Sequence, residues 1–208
     1  KVDNAATIGY THKMELILIR HAETAGNLER RYIGVTDQPL CEKGIKTAVK
    51  SGIMPSVPLV YSSPMIRAVQ TATIKFPNAR VVTAPGLREM DFGLFEGRTA
   101  DEMSGDESYR AWVDGGCLGA CPNGESRAGF ITRACVAFSE LVGENLARRS
   151  GYLLIVAHGG TIMSVMERFA RPRRDYFDWA APHCGGYRAL LDDETWAADP
   201  KLTDVQSL

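Results

Sequence analysis

Residues 14–20 read MELILIR, and from Leu16 to Ile19 the run is unbroken aliphatic before it ends in Arg20 and His21. A strand with one wet face alternates apolar and polar residues. A continuous apolar run of strand length is the pattern of a strand covered on both faces. Such strands belong to parallel sheets sandwiched between helices, so this segment already narrows the fold class.

The rest of the chain supplies the alternation that a sandwich requires. EKGIKTAVKSG reads as a short helix and PLVYSS as a second strand. Either Ser62 or Ser63 is placed to cap the helix that follows, with Pro64 near its first turn. That helix runs through MIRAVQTATIKF until Pro77, and ARVVTA is a third strand. From 125 to 149 apolar residues recur at helical spacing (Phe130, Ile131, Ala134, Phe138, Leu141, Val142), which predicts a long amphipathic helix. YLLIVA is the fourth strand and delivers His158-Gly159-Gly160, where GGTIMSVMERFA opens a helix; YRALLD reads as the last strand. The expected fold is a three-layer α/β/α sandwich with a mostly parallel central sheet, one domain over residues 14–208. Residues 85–125 are glycine-rich and irregular, with short helical pieces such as DESYRAWV, and read as a lid over the sheet. Residues 1–13 are polar and aperiodic and read as an N-terminal extension, His12 within it being assigned no role.

With a formal net charge of -1, the chain has no global basic field to attract nucleic acid. No apolar run approaches the roughly 20 residues that span a bilayer. Neither nucleic acid nor membrane is therefore an expected partner, and recognition of an anion must come from a local cluster of positive groups. The five cysteines are odd in number and scattered, so they read as reduced thiols of a cytoplasmic protein. Cys117 and Cys121 lack two further ligands at compatible spacing, so no metal is assigned.

Ligands of such sheets bind outside the carboxyl ends of the strands. The first strand ends in Arg20-His21. The second leads into a helix carrying Arg67, the third into LREMDFG with Arg88, Glu89 and Asp91, and the fourth into His158-Gly159-Gly160. Arginine forks match phosphate oxygens, and a helix opening at Gly159 offers amides to an anion. Histidine is a competent nucleophile toward phosphorus, and a carboxyl with a raised pKa protonates a leaving alkoxide. Taken singly, each residue also has an ordinary explanation: Arg67 as a solvated helix residue, Glu89 as the partner of Arg88, His183 as a turn residue. Their joint occurrence at successive strand ends points to a phosphate-handling site.

At these same residues the chain resembles the histidine phosphatase superfamily, the phosphoglycerate mutase-like group. LIRHAETAGN is similar to its Arg-His signature, RRYIGVTDQPLCEKG to the segment that follows, and YSSPMIRAVQTA to its Ser-Ser-Pro element. LREMDFGLFEGR resembles the block carrying the acid, and VAHGG the second-histidine motif. The resemblance implies His21 as nucleophile, Glu89 as general acid, and Arg20, Arg67 and His158 around the phosphoryl oxygens. It also implies Asn27, Gly159, Thr24, Ile33 and Gly34 in substrate binding, with no cofactor and no metal. The short interval from Glu89 to His158 and the acidic residues Asp101, Glu102, Asp106 and Glu107 favour a phosphatase over a mutase. CPNGESRAGF is similar to an element of alpha-ribazole phosphatases. The expected substrate is a small phosphomonoester, with alpha-ribazole 5'-phosphate as one candidate and inorganic phosphate as product. The alternatives are a phosphoglycerate mutase-type phosphotransferase and a non-catalytic module that holds a phosphorylated ligand. Cys41 stands where the family more often has Ser or Thr.

Overall fold

The computed structural model describes residues 11–52 and 57–208. In chain order the elements are β1 (Lys13–Arg20), α1 (Ala25–Leu28), α2 (Glu42–Lys50), β2 (Leu59–Ser62), α3 (Ile66–Lys75) and β3 (Arg80–Thr83). They continue as α4 (Glu107–Asp114), α5 (Arg127–Ala147), β4 (Tyr152–Ala157), α6 (Gly159–Phe169), β5 (Gly186–Asp192), α7 (Asp193–Ala198) and β6 (Thr203–Ser207). The strands form one sheet in the order β3-β2-β4-β1-β5-β6. The first four of that order are parallel; β5 and β6 join antiparallel.

The aliphatic run of β1 is explained by where its alternate residues go. Leu16 and Leu18 enter a core with Phe138, Ile162 and Trp179, while Ile17 and Ile19 enter another with Ala68, Ala72 and Phe76. Successive side chains of a strand point to opposite faces, so only a sheet covered on both sides buries all four. Helices α5 and α6 supply residues to the first core and α3 to the second. A third apolar cluster forms within residues 90–134, where Phe95, Met103, Tyr109 and Trp112 pack on Phe130 and Ala134 of α5. The segment expected as a lid thus has its own small core resting on that long helix.

Three local expectations are corrected. YRALLD is not the last strand: β6 follows it, a polar edge strand with most of its residues exposed, which carries no apolar run to announce it. The start of α3 is capped by neither Ser62 nor Ser63. Its N-cap is Met65, and the amide of Ile66 donates instead to Asp37 Oδ1 at 2.8 Å, from a loop 29 residues earlier. The expected extension reaches into the sheet, for β1 begins at Lys13. His12 is anchored, its amide donating to Asp193 Oδ1 at 2.9 Å and its Nε2 lying 2.9 Å from the carbonyl of Ser150. The remainder of that extension, residues 1–10, lies outside the described residues. Cys41 has a local rationale: it is the N-cap of α2, where its sulfur takes the amide of Gly44 in place of a hydroxyl. Among the described residues no helix is long and apolar enough to cross a membrane.

Candidate active site

Strands β1 and β4 are neighbours, with Arg20 opposite Ala157, so the residues that follow each strand emerge side by side. His21 and His158 meet there with ring centroids 5.0 Å apart. Regular pairing of β1 stops at Arg20, and this break lets two successive residues serve one site. The antiparallel β5 starts at the same edge: the amide of Cys184 donates to the carbonyl of Arg20, and His183 Nδ1 donates to the carbonyl of His21 at 2.8 Å. His183 therefore abuts His21, ring centroid to ring centroid 5.3 Å, rather than serving as a plain turn residue.

His21 is 4% exposed, and its Nδ1 lies 2.6 Å from the carbonyl oxygen of Ala22. Burial, reinforced by the positive field of Arg67, holds its pKa well below the ordinary histidine value. A neutral imidazole results, with its proton on Nδ1 and its lone pair on Nε2. His158 is wholly buried, and its Nε2 lies 2.6 Å from Ser63 Oγ, whose oxygen also takes the amide of Met65. Its Nδ1 is buried without a partner among the described residues, as are Nε of Arg20 and Nε of Arg67. Buried polar groups are ordinarily paired. Orphaned nitrogens on three residues that flank His21 suit an anion with several oxygens.

Arg67 is wholly buried, unlike the solvated helix residue its sequence context suggests. Its guanidinium donates to the carbonyls of Gly34 at 2.7 Å and Thr36 at 3.0 Å. Arg20 donates to the carbonyl of Ala181 at 2.8 Å, and its guanidinium packs against Gly159. Glu89 does not pair with Arg88, which reaches Glu125 instead. The Glu89 carboxylate accepts from the amides of Gly160 at 2.9 Å and Met90 at 3.0 Å. Hence the opening amide of α6 at Gly160 is taken by a carboxylate from the chain itself, not left free for a ligand. A side chain at Gly160 would overlap that carboxylate, which explains the second glycine of the pair. Burial pushes the Glu89 carboxyl above the ordinary value, against the opposing pull of the two amides and of Arg67 and Arg20.

A cleft of about 350 Å³ opens beside this cluster. Arg20, Glu89, Asn27, Ile33 and Gly159 line it; His21, Arg67 and His158 are too deeply buried to form its open walls. Thr24 and Gly34 are not at its surface. Thr24 caps α1 in a reciprocal box in which Thr24 Oγ1 accepts from the Asn27 backbone amide and Asn27 Oδ1 accepts from the Thr24 amide and hydroxyl, leaving the Asn27 side-chain Nδ2 without a partner among the described residues. Away from the histidines the walls are mostly apolar and aromatic (Tyr32, Phe92, Trp112, Phe130, Met163 and Tyr176), with Arg31 and Arg127 set among them.

One residue that braces the site gave no sequence signal at its helix position. Arg133 of α5 donates to both oxygens of Glu125 and to the carbonyls of Gly86, Arg88 and Glu89. It thereby fixes the segment that carries Glu89. Its position among the polar residues of an amphipathic helix looks like any solvated arginine.

Residues 16–200 match the histidine phosphatase superfamily (branch 1). The chain belongs to that superfamily. Among its relatives, the "Probable phosphoglycerate mutase GpmB" of Proteus mirabilis (strain HI4320) is 34% identical over 158 residues, 70% of each chain. The alpha-ribazole phosphatase of Shigella flexneri has a similar structure, with a TM-score of 0.71 at 28% identity, covering 86% of this chain and 90% of that one. A phosphoglycerate mutase structure from Thermus thermophilus is similar at a TM-score of 0.67 and 28% identity, covering 94% of this chain and 99% of that one. Superfamily membership and the α/β sandwich are thus common to relatives named as phosphatases and relatives named as mutases.

Proposed function

We propose that this histidine phosphatase hydrolyses small phosphomonoesters through a phosphohistidine on His21. The observation that carries the reading is the 2.6 Å approach of His21 Nδ1 to the Ala22 carbonyl, which pins that nitrogen as the donor and leaves Nε2 as the nucleophilic edge. In the first step the Nε2 lone pair bonds to phosphorus as the bond to the ester oxygen breaks, and Glu89 delivers its proton to that oxygen. Arg20, Arg67 and His158 hold the charge that spreads over the equatorial oxygens. In the second step the Glu89 carboxylate takes a proton from water, the resulting oxygen bonds to phosphorus, and the P–N bond breaks. Inorganic phosphate leaves, and His21 and protonated Glu89 are restored.

Hydrolysis is favoured over a mutase by the walls beyond the phosphoryl pocket. A phosphoglycerate carries a carboxylate that wants a free cation. Of the arginines lining the cleft away from the histidines, Arg31 is committed to Glu29 and Glu102, which leaves Arg127, stacked 4.0 Å above the Tyr176 ring, as the cation a mutase would have to use. The aromatic lining suits an apolar leaving group; alpha-ribazole 5'-phosphate, suggested by the Shigella flexneri neighbour, is one candidate. The free thiols fit a cytoplasmic setting.

The decisive experiment is rapid base quench after mixing with a labelled phosphomonoester. Base-stable, acid-labile label on His21 is expected, together with loss of several orders of magnitude in turnover for His21→Ala. Full turnover in His21→Ala would sink the hydrolase reading. Interconversion of 2- and 3-phosphoglycerate without phosphate release would replace it with the mutase.

A further inference from the structure

Glu96 forms no hydrogen bond with the histidines, yet its carboxylate is the most heavily bonded one near the site. Oε1 accepts from the amides of Gly34, Val35 and Phe92 at 3.0–3.1 Å. Oε2 accepts from the amides of Gly34 and Thr36 at 3.1 and 3.2 Å and from the Thr36 hydroxyl at 2.6 Å. The amides of residues 34–36 therefore turn toward Glu96, and the carbonyls of Gly34 and Thr36 turn the other way, onto the guanidinium of Arg67. Among the described residues Arg67 has no carboxylate hydrogen-bonded to it. The 34–35 peptide joins the two charges directly, its carbonyl on Arg67 and its amide on Glu96, while the Thr36 carbonyl is held through the amide and hydroxyl of its own residue. Phe92 belongs to the same segment as Glu89, so one carboxylate fastens the cradle of Arg67 to the stretch that carries the acid.

We infer that Glu96 is a positioning residue for phosphoryl transfer, acting through the 34–36 peptides to aim the Arg67 guanidinium. The inference rests on the reading of Arg67 as a ligand of the phosphoryl group. Glu96 is not among the residues that line the cleft; its work is to fix a charged fork that has given two of its donors to loop carbonyls and must present the others in one direction. Gly34 is part of the same device. A side chain there would overlap the Met90 carbonyl and the Glu96 carboxylate, so the loop can close on Glu96 only with glycine in place.

The test is a double-substitution cycle read by calorimetric titration of the intact chain with inorganic phosphate. Arg67→Met alone, Glu96→Gln alone and the two together are compared with the unaltered protein, with melting temperature recorded for each. Glu96→Gln puts an amide donor against amide donors and should weaken phosphate binding about tenfold, the scale of one lost charge-assisted acceptor set. The double variant should bind no more weakly than Arg67→Met alone. Fully additive losses would show that Glu96 acts elsewhere and overturn the inference. Should Arg67→Met fail to fold, Thr36→Val decides: it removes only the hydroxyl donor to Glu96 and should weaken phosphate severalfold. Unchanged phosphate affinity in both Thr36→Val and Glu96→Gln would overturn the inference. Phosphate affinity that survives Arg67→Met undiminished would instead remove the reading of Arg67 on which it stands.

Discussion

The Nδ1 atom of His21 lies 2.6 Å from the carbonyl oxygen of the next residue, Ala22. A carbonyl only accepts, so the ring proton is on Nδ1 and the nucleophilic lone pair is on Nε2. Ala22 is itself held on its other side, its amide donating to Thr71 Oγ1 at 2.9 Å. A trapped phosphoenzyme should therefore carry phosphorus on Nε2. Nitrogen and phosphorus NMR of the quenched intermediate distinguishes the two isomers, and phosphorus on Nδ1 would contradict this assignment.

Glu89→Gln keeps the shape of the side chain and removes its proton. Loss of general acid catalysis is expected at about 10²–10⁴-fold for alkyl phosphates. Aryl phosphates, whose leaving oxygens need less help, should lose far less. Because burial raises the Glu89 carboxyl above the ordinary range, turnover of alkyl esters should fall as pH rises through that raised value, and the Gln variant should lose this limb. Equal slowing of aryl and alkyl esters across the pH range would count against the acid role.

Stability should fall on acidification. Burial, aided by neighbouring charges, depresses the pKa of His21 and His158, and His183 is pushed down to about 4. Below the ordinary histidine value of about 6.5 the unfolded chain takes up these protons while the folded chain refuses them, so stability rises with pH in that window. Glu89, with its raised pKa, binds its proton more readily when folded and partly offsets the trend. Melting temperature should drop between pH 7 and pH 5, and the drop should shrink in His183→Asn. A flat profile would mean that the imidazoles are charged in the fold.

Gly34→Ala should destabilise the protein by about 1–3 kcal/mol through forced overpacking of the loop against Met90 and Glu96. Chemical denaturation measures this directly. A variant as stable as the parent would show that the loop has room to move.

Arg133→Lys keeps the charge and loses the planar fork that spans Glu125 and three carbonyls. A loss of about 1–3 kcal/mol in stability is expected, given the partial exposure of the pair. Turnover of alkyl esters should fall with it, since the Glu89 carbonyl is one of the groups released. Unaltered turnover at full folding would remove Arg133 from the support of the acid.

What could be read from the residues followed the physics of burial and of strand ends. The Leu16–Ile19 run declared a two-sided strand because both faces demand apolar side chains, and Arg20, His21 and His158 were legible because strand termini expose their chemistry at one edge. Polar β6 carried no such demand and passed unnoticed. The cap of α3 was misplaced because Asp37 reaches it from 29 residues away, and local spacing cannot register a partner at that distance. Arg133 and Glu96 were invisible for the same reason: each is defined by peptide groups that converge only in the folded chain. Thr24 and Gly34, carried over by resemblance to the substrate-binding set, lie off the cleft surface and contact its components from behind.

The Asp37 cap also bears on how the molecule assembles. Helix α3 holds Arg67 in its first turn, and the start of that turn is closed by a carboxylate from the same loop whose carbonyls grip the guanidinium. The helix therefore has no self-contained beginning. Amide exchange at Ile66 should slow only after residues 34–37 have docked, which makes that single proton a clock for the moment when the fold becomes a working pocket.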